Sequence, residues 1–237
     1  MPLTVEDLTA EWFTSAVPLP TGVTVAAAAL ESIIWGTATK VFVRLTYDGG
    51  DGAGLPDTVC VKGGFNPNLR PMAGPGYLAE ALFFAQLAPD LDFPLPRCWF
   101  ADHDPENAQG IVVLEDLRTA GADFPTMVDP LAPETVAAAL RLLASCHAAT
   151  WNEQGLDASP WLTVGSPVQR QIIRIMLGED HWKHHLSLPR GEGPLRRLFR
   201  ERPEFRERPE RVAAFPSHAR SHTGRRRPGA AATPIRA

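Results

Sequence analysis

The nine residues KVFVRLTYD (40–48) decide the fold class, because two sets of side chains alternate along them. An alternation with a period of two predicts a β-strand that lays one face on an apolar core. Val41, Val43, Leu45 and Tyr47 share one face of this strand, and Lys40, Phe42, Arg44 and Thr46 share the other.

Strand signals lie on both sides of this stretch. ALESIIW (29–35) precedes it across a turn at 36–39, and DTVCVKGGF (57–65) follows it after the glycine-rich loop 48–57. The connections between these three strands are short and local, so the simplest arrangement is an antiparallel meander.

Proline and glycine divide the next part of the chain. They predict a mobile loop over 63–76 and a helix from about 76 to 88. A strand at 98–101, a turn at 102–110 and a strand at 111–114 follow.

Helical patterns dominate the remainder of the sequence. From Pro133 onward, apolar residues recur with the spacing of one helix face. Further helices are predicted at 5–17, 167–186 and 193–213, and no periodicity continues after Phe215. A β-rich region followed by helices predicts an α+β fold.

Composition limits the class of protein further. The chain has 237 residues, a net charge of −4 and a hydrophobic fraction of 44%, which is typical of a globular protein. It contains no apolar run long enough for a transmembrane helix, and residues 1–13 do not resemble a signal peptide. Three cysteines without zinc-ligand spacing predict a reduced, cytoplasmic protein.

Residues 212–237 differ from the rest, because they contain five arginines and no acidic residue. A nucleic-acid partner is not expected, since no aromatic side chains interleave with Arg225, Arg226 and Arg227 to stack on bases. No membrane partner is expected either.

Two charged residues form the most specific candidate site. Lys62 ends a predicted strand and Glu80 lies on the predicted helix that follows, which is the pairing that a nucleotide-phosphate clamp needs. A solvated strand-end lysine and an exposed helical carboxylate are the simpler alternatives. The strand 111–114 runs into Glu115, Asp116 and Leu117, whose backbone could face an adenine edge.

Other motifs are rejected. Neither a dinucleotide-binding fingerprint nor a P-loop is present. His181, His184 and His185 have the spacing of a metal-binding helix face, but no carboxylate motif completes a site. We therefore predict no metal ligands.

In order and spacing, these parts resemble the aminoglycoside phosphotransferase and choline-kinase-like family, in particular its bacterial ecdysteroid-kinase-like branch. The phrases that carry the resemblance are YLAEALFFAQLAP (77–89), PRCWFAD (96–102), VLEDL (113–117) and LASCHAATW (143–151). The resemblance covers about residues 5–190.

The resemblance implies a bilobal protein-kinase-like fold, with a small antiparallel β lobe containing one helix and an incomplete helical lobe. It implies that ATP is the cofactor and that a small-molecule hydroxyl accepts the phosphoryl group. The ATP-binding residues implied are Lys62 for the phosphates, Glu80 as its partner, Glu115 and Leu117 for adenine, and Gly36 and Thr37 in the loop over the phosphates.

The catalytic motifs of that family are missing from the sequence. The family carries H-G-D-x-x-x-x-N and an I-D-W-like motif, whereas here no Asp follows Asp180 and no Asn follows Asn152. We therefore predict no catalytic residues, a truncated and inactive phosphotransferase, and Mg²⁺ only in intact relatives. A non-catalytic nucleotide-binding or interaction module with an arginine-rich tail is the alternative.

Three regions are predicted. Residues 1–117 form a β-rich nucleotide-binding lobe, 118–213 a partial helical lobe, and 214–237 a disordered basic tail. Two alternatives stay open for that tail, a native disordered segment or a stretch read out of frame.

Overall fold

The computed structural model describes residues 1–50, 54–126, 129–150, 159, 161–162, 175 and 178–188. The chain divides into two units between Leu162 and Thr163. The predicted helix 193–213 and the tail 214–237 lie outside the described residues, as does much of the predicted helix 167–186.

Five strands form the framework of the first unit. They are β1 (Thr24–Ile34), β2 (Thr39–Asp48), β3 (Thr58–Gly63), β4 (Cys98–Asp104) and β5 (Gln109–Glu115). All pairings are antiparallel, and the strand order across the sheet is β1-β2-β3-β5-β4. The predicted meander of the first three strands is confirmed.

The described helices are α1 (Ala10–Ala16), α2 (Arg70–Leu82), α3 (Pro133–Ala149) and α4 (Glu179–Ser187). The chain therefore belongs to the α+β class, as predicted. Thr9 begins α1, because its hydroxyl accepts a hydrogen bond from the Trp12 N–H at 3.2 Å. In the described part of the chain, each helix is too short or too polar to cross a bilayer.

One face of the sheet carries the larger core. Its strand residues include Val41, Val43, Val59 and Val61, which are buried as the alternation predicts. The N-terminal segment packs in this cluster with Phe13, which is completely buried. Because α1 and this face of the sheet both present apolar side chains, burying them together holds α1 against the sheet.

The opposite face is covered only in part by α2. Ala81 of this helix packs with Val112 and Leu114 of β5 in a second cluster. Toward β2 and β3 the same face carries Lys62 and its strand partner Lys40. The functional candidates therefore lie beside α2 and away from the larger core.

The prediction for α2 was wrong at its start. The helix begins at Arg70, so residues 70–75 are helical where a mobile loop was expected. Pro71 fits the first helical turn, where its missing N–H costs nothing. Gly74 is required by close packing, because a Cβ there would lie 2.6 Å from the Ala108 Cβ. Tertiary packing outweighs the weak helix propensity of this segment.

Other boundaries also differ from the predictions. β1 begins at Thr24 rather than at 29, and α2 ends at Leu82 rather than at 88. The strand expected to end at 101 continues as β4 to Asp104, because its ladder with β5 runs on to the pair Asp104–Gln109. The predicted turn 102–110 therefore shrinks to 105–108. The expected N-terminal helix is divided into a 3₁₀ turn at Val5–Asp7 and α1.

Candidate functional site

The alternation of β3 decides which way its lysine points. Val59 and Val61 enter the larger core, so Cys60 and Lys62 occupy the opposite face, toward α2. On α2, Tyr77 and Ala81 are buried against the sheet, and Glu80 lies between these positions in the sequence. The strand and the helix thus present one basic and one acidic side chain to each other.

Lys62 and Glu80 form an ion pair. The Lys62 Nζ donates a hydrogen bond to Glu80 Oε1 at 2.5 Å. Both side chains are half-buried, with exposed fractions of 25% and 30%. The structure therefore brings together the two residues at the centre of the predicted site, although they are 18 positions apart.

The turn between β1 and β2 lies against the same helix. The Tyr77 hydroxyl donates a hydrogen bond to the Thr37 carbonyl, which ties this turn to α2. The strand that follows places Lys40 directly opposite Lys62. Gly36 has room for a side chain, since a Cβ would meet only the Ala38 carbonyl at an ordinary 3.5 Å.

The end of β5 forms the other side of the candidate site. The Glu115 N–H donates to the Arg97 carbonyl at 2.8 Å, and the Leu117 carbonyl accepts from the Ala122 N–H at 3.0 Å. These bonds fix the backbone where the strand becomes a turn. By register, Lys62 pairs with Val112, so Glu115 lies about 10 Å farther along β5.

Asp116 is a buried carboxylate at this turn that sequence reasoning did not single out. Its side chain is 1% exposed, and its oxygens accept hydrogen bonds from Arg118 Nε at 2.9 Å and Nη2 at 2.7 Å. The Arg118 side chain is the main cause that lowers the pKa of Asp116. In the sequence, the only signal for this pair was that Asp116 and Arg118 are two positions apart.

Cys60 lies at the middle of the face that carries Lys62. Burial and, to a lesser extent, the negative charge of Asp116 raise the pKa of its thiol to about 11. Lys40 and Arg118 are near enough to oppose this shift. The thiol is therefore uncharged at neutral pH, and this part of the face is apolar between charged groups.

A cavity of about 460 Å³ opens near the end of β5. Arg44, Thr58, Arg97, Trp99 and Glu115 are among its lining residues, whereas Lys62 and Glu80 are not. The cavity is therefore separate from the ion pair.

Metal ligation finds no support in the described part of the chain, where no group of three or more His, Cys, Asp or Glu side chains could hold an ion. His181 and His184 lie on α4, and both have interactions with other groups. Comparison with protein-family models, with curated proteins and with solved structures found no match for this chain.

Proposed function

We propose that this chain is a nucleotide-binding member of an ATP-dependent small-molecule phosphotransferase family with a protein-kinase-like fold. The Lys62–Glu80 ion pair between β3 and α2 is the observation that carries the proposal. A strand lysine held by a helix carboxylate is the arrangement that binds nucleotide phosphates in such enzymes. The antiparallel sheet, with α2 inserted between β3 and β4, is compatible with the small lobe of that fold.

ATP fits the chemistry of the residues on this face. Lys62 would bind the α- and β-phosphates, and the backbone of Glu115 and Leu117 would contact the adenine edge. The separation of about 10 Å along the sheet between these two ends suits an extended nucleotide. Gly36 and Thr37 would lie near the phosphates. When bound, ATP supplies the phosphoryl group that the family transfers to a hydroxyl.

Phosphoryl transfer itself is not expected from this chain. The reaction depends on an acceptor-positioning Asp and on metal-binding Asn and Asp, which the family carries in motifs that this sequence lacks. The alternative function, a non-catalytic nucleotide-binding or interaction module, shares the same nucleotide site. A transfer assay with hydroxyl acceptors tests this absence of activity, and turnover would contradict both functions. The free thiols of Cys60, Cys98 and Cys146 support a reducing, cytoplasmic compartment as part of the proposal.

Calorimetric titration with a non-hydrolysable ATP analogue tests the nucleotide site. We expect Lys62→Ala to weaken binding about tenfold or more, because a charge-assisted contact to phosphate is lost. Lys40→Ala is the matched control, since Lys40 lies opposite Lys62 on the same face but has no Glu80 to position it.

Equal affinity of the parent protein and Lys62→Ala would exclude Lys62 from the site. An equal loss in the two lysine variants would instead indicate unspecific attraction of phosphate by positive charge. Either result would contradict the proposed clamp.

A further inference from the structure

Arg118 lies across the face that carries the proposed nucleotide site. Its guanidinium carbon is 3.4 Å from the centroid of the Phe42 ring, a close cation–π contact. Nη1 donates a hydrogen bond to the Ser32 hydroxyl at 3.2 Å, and Nη2 lies 3.6 Å from a Glu31 carboxylate oxygen. Together with the bonds to Asp116, these contacts hold the guanidinium over the ring.

The strand register places Phe42, the ring beneath Arg118, on the face that carries the proposed nucleotide site. Phe42 is the strand partner of Cys60, which in turn pairs with Leu114 at the end of β5. Cys60 precedes Lys62 by two residues, so these two side chains share one face of the sheet. Their strand partners place Phe42 and Leu114 on the same face. A base that reaches from the end of β5 toward Lys62 therefore passes over Cys60 and Phe42.

Arg118 covers part of Phe42. The ring is only 6% exposed, and the guanidinium lies against one of its faces. Removing it would uncover an aromatic surface beside Lys62.

We propose that Phe42 is a base-stacking platform and that Arg118 occupies the base position until a nucleotide displaces it. The proposal rests on the proposed nucleotide site, and it adds a residue that controls access to that site. A purine ring and the guanidinium cannot stack on the same face of Phe42 together. Binding must therefore break the contacts of Arg118 with Ser32 and Glu31.

The acidic partners of Arg118 can tolerate its departure. Glu31 also binds Arg44, with Nη2 and Oε1 2.5 Å apart. Asp116 keeps a hydrogen bond from the Arg118 backbone N–H at 3.0 Å, which does not depend on the side chain. Displacement from the ring thus leaves Glu31 its ion pair with Arg44 and leaves Asp116 a backbone hydrogen bond.

Calorimetry with adenosine and with the non-hydrolysable ATP analogue tests this inference. Arg118→Ala should bind both ligands about fivefold more tightly than the parent protein, because no cation–π contact has to be broken. Arg44→Ala is the matched control, since Arg44 shares Glu31 but is not the arginine stacked on Phe42. Its affinity should not exceed that of the parent, because Glu31 then has Arg118 as its remaining cationic partner.

Two further variants keep the test decisive if Arg118→Ala folds poorly. Glu31→Gln loosens Arg118 at an exposed position and should give a smaller gain in affinity. Phe42→Ala in the Arg118→Ala background should remove the gain. Unchanged or weaker adenosine binding by both Arg118→Ala and Glu31→Gln overturns the inference.

The Lys62→Ala substitution separates this inference from the proposed function. If the ATP analogue binds less tightly after Lys62→Ala while Arg118→Ala brings no gain, the nucleotide site stands and the access role of Arg118 is wrong. If neither the parent protein nor the Arg118→Ala protein binds either ligand, both proposals are wrong.

Discussion

Asp116 is the residue on which the turn after β5 depends. Its buried carboxylate accepts hydrogen bonds from the Arg118 side chain and backbone, and a hydrogen bond from the Thr58 hydroxyl also lowers its pKa. We expect Asp116→Asn to lower the free energy of unfolding by about 1.5–3 kcal/mol, the range for a hydrogen bond to a charged group. Urea denaturation measures this, and Asp123→Asn at an exposed position is the control.

The pH dependence of that loss follows from the lowered pKa of Asp116. The ordinary carboxyl value is 3.8, and the folded-state pKa lies below it. A depressed pKa stabilises the folded protein above the unfolded-state value and ceases to do so as the pH falls through the folded-state value. The stability difference between parent and Asp116→Asn should thus be constant near neutral pH and shrink below about pH 4. If the stability difference between the parent protein and Asp116→Asn instead grew as the pH falls, the lowered pKa of Asp116 would be contradicted.

At the scale of elements, the contact between α2 and β5 positions Glu80 opposite Lys62. Gly110 allows this contact, because a Cβ at that position would overlap the Tyr77 carbonyl. We expect Gly110→Ala to lower the free energy of unfolding by about 2–3 kcal/mol, as overpacking of a tight interface does. Nucleotide affinity should fall as well, since α2 must move away from β3.

Gly76→Ala is the matched control on the same helix. A Cβ there would meet nothing within 4 Å, so only the backbone preference changes. Alanine is favoured over glycine inside a helix, and the variant should gain about 0.5–1 kcal/mol. Similar stability changes for the two substitutions would show that Gly110 does not set the position of α2.

At the scale of the whole molecule, the apolar surface of α3 stands out. Leu140 and Leu143 are 60% and 48% exposed, and this helix has no buried residue. His147 on the same helix is exposed as well. An uncovered apolar helix face favours association between molecules.

We therefore expect the double substitution Leu140→Gln and Leu143→Gln to reduce aggregation and the binding of an apolar fluorescent dye. The melting temperature should change little, because neither leucine contributes to the described core. Thr135→Gln on the same helix is the control and should leave dye binding unchanged. A large drop in melting temperature for the double variant would mean that this face is packed in solution.

The sequence by itself determined which segments are strands, the local connections of the first three, and the faces of β2 and β3, because alternation with a period of two is a property of neighbouring residues. It also placed Lys62 on a strand and Glu80 on a helix. Only the tertiary structure decided that α2 begins at Arg70, since the close approach of Gly74 to Ala108 is invisible in a local pattern.

The same holds for the residues that complete the candidate site. Phe42 and Arg118 lie on elements far apart in sequence, and nothing in the neighbourhood of either one predicts the 3.4 Å contact between them. Asp116 looked like an ordinary acidic turn residue until the fold removed it from solvent. Burial and long-range side-chain contacts depend on how the elements pack, and that packing minimises the free energy of the whole unit rather than of any single segment.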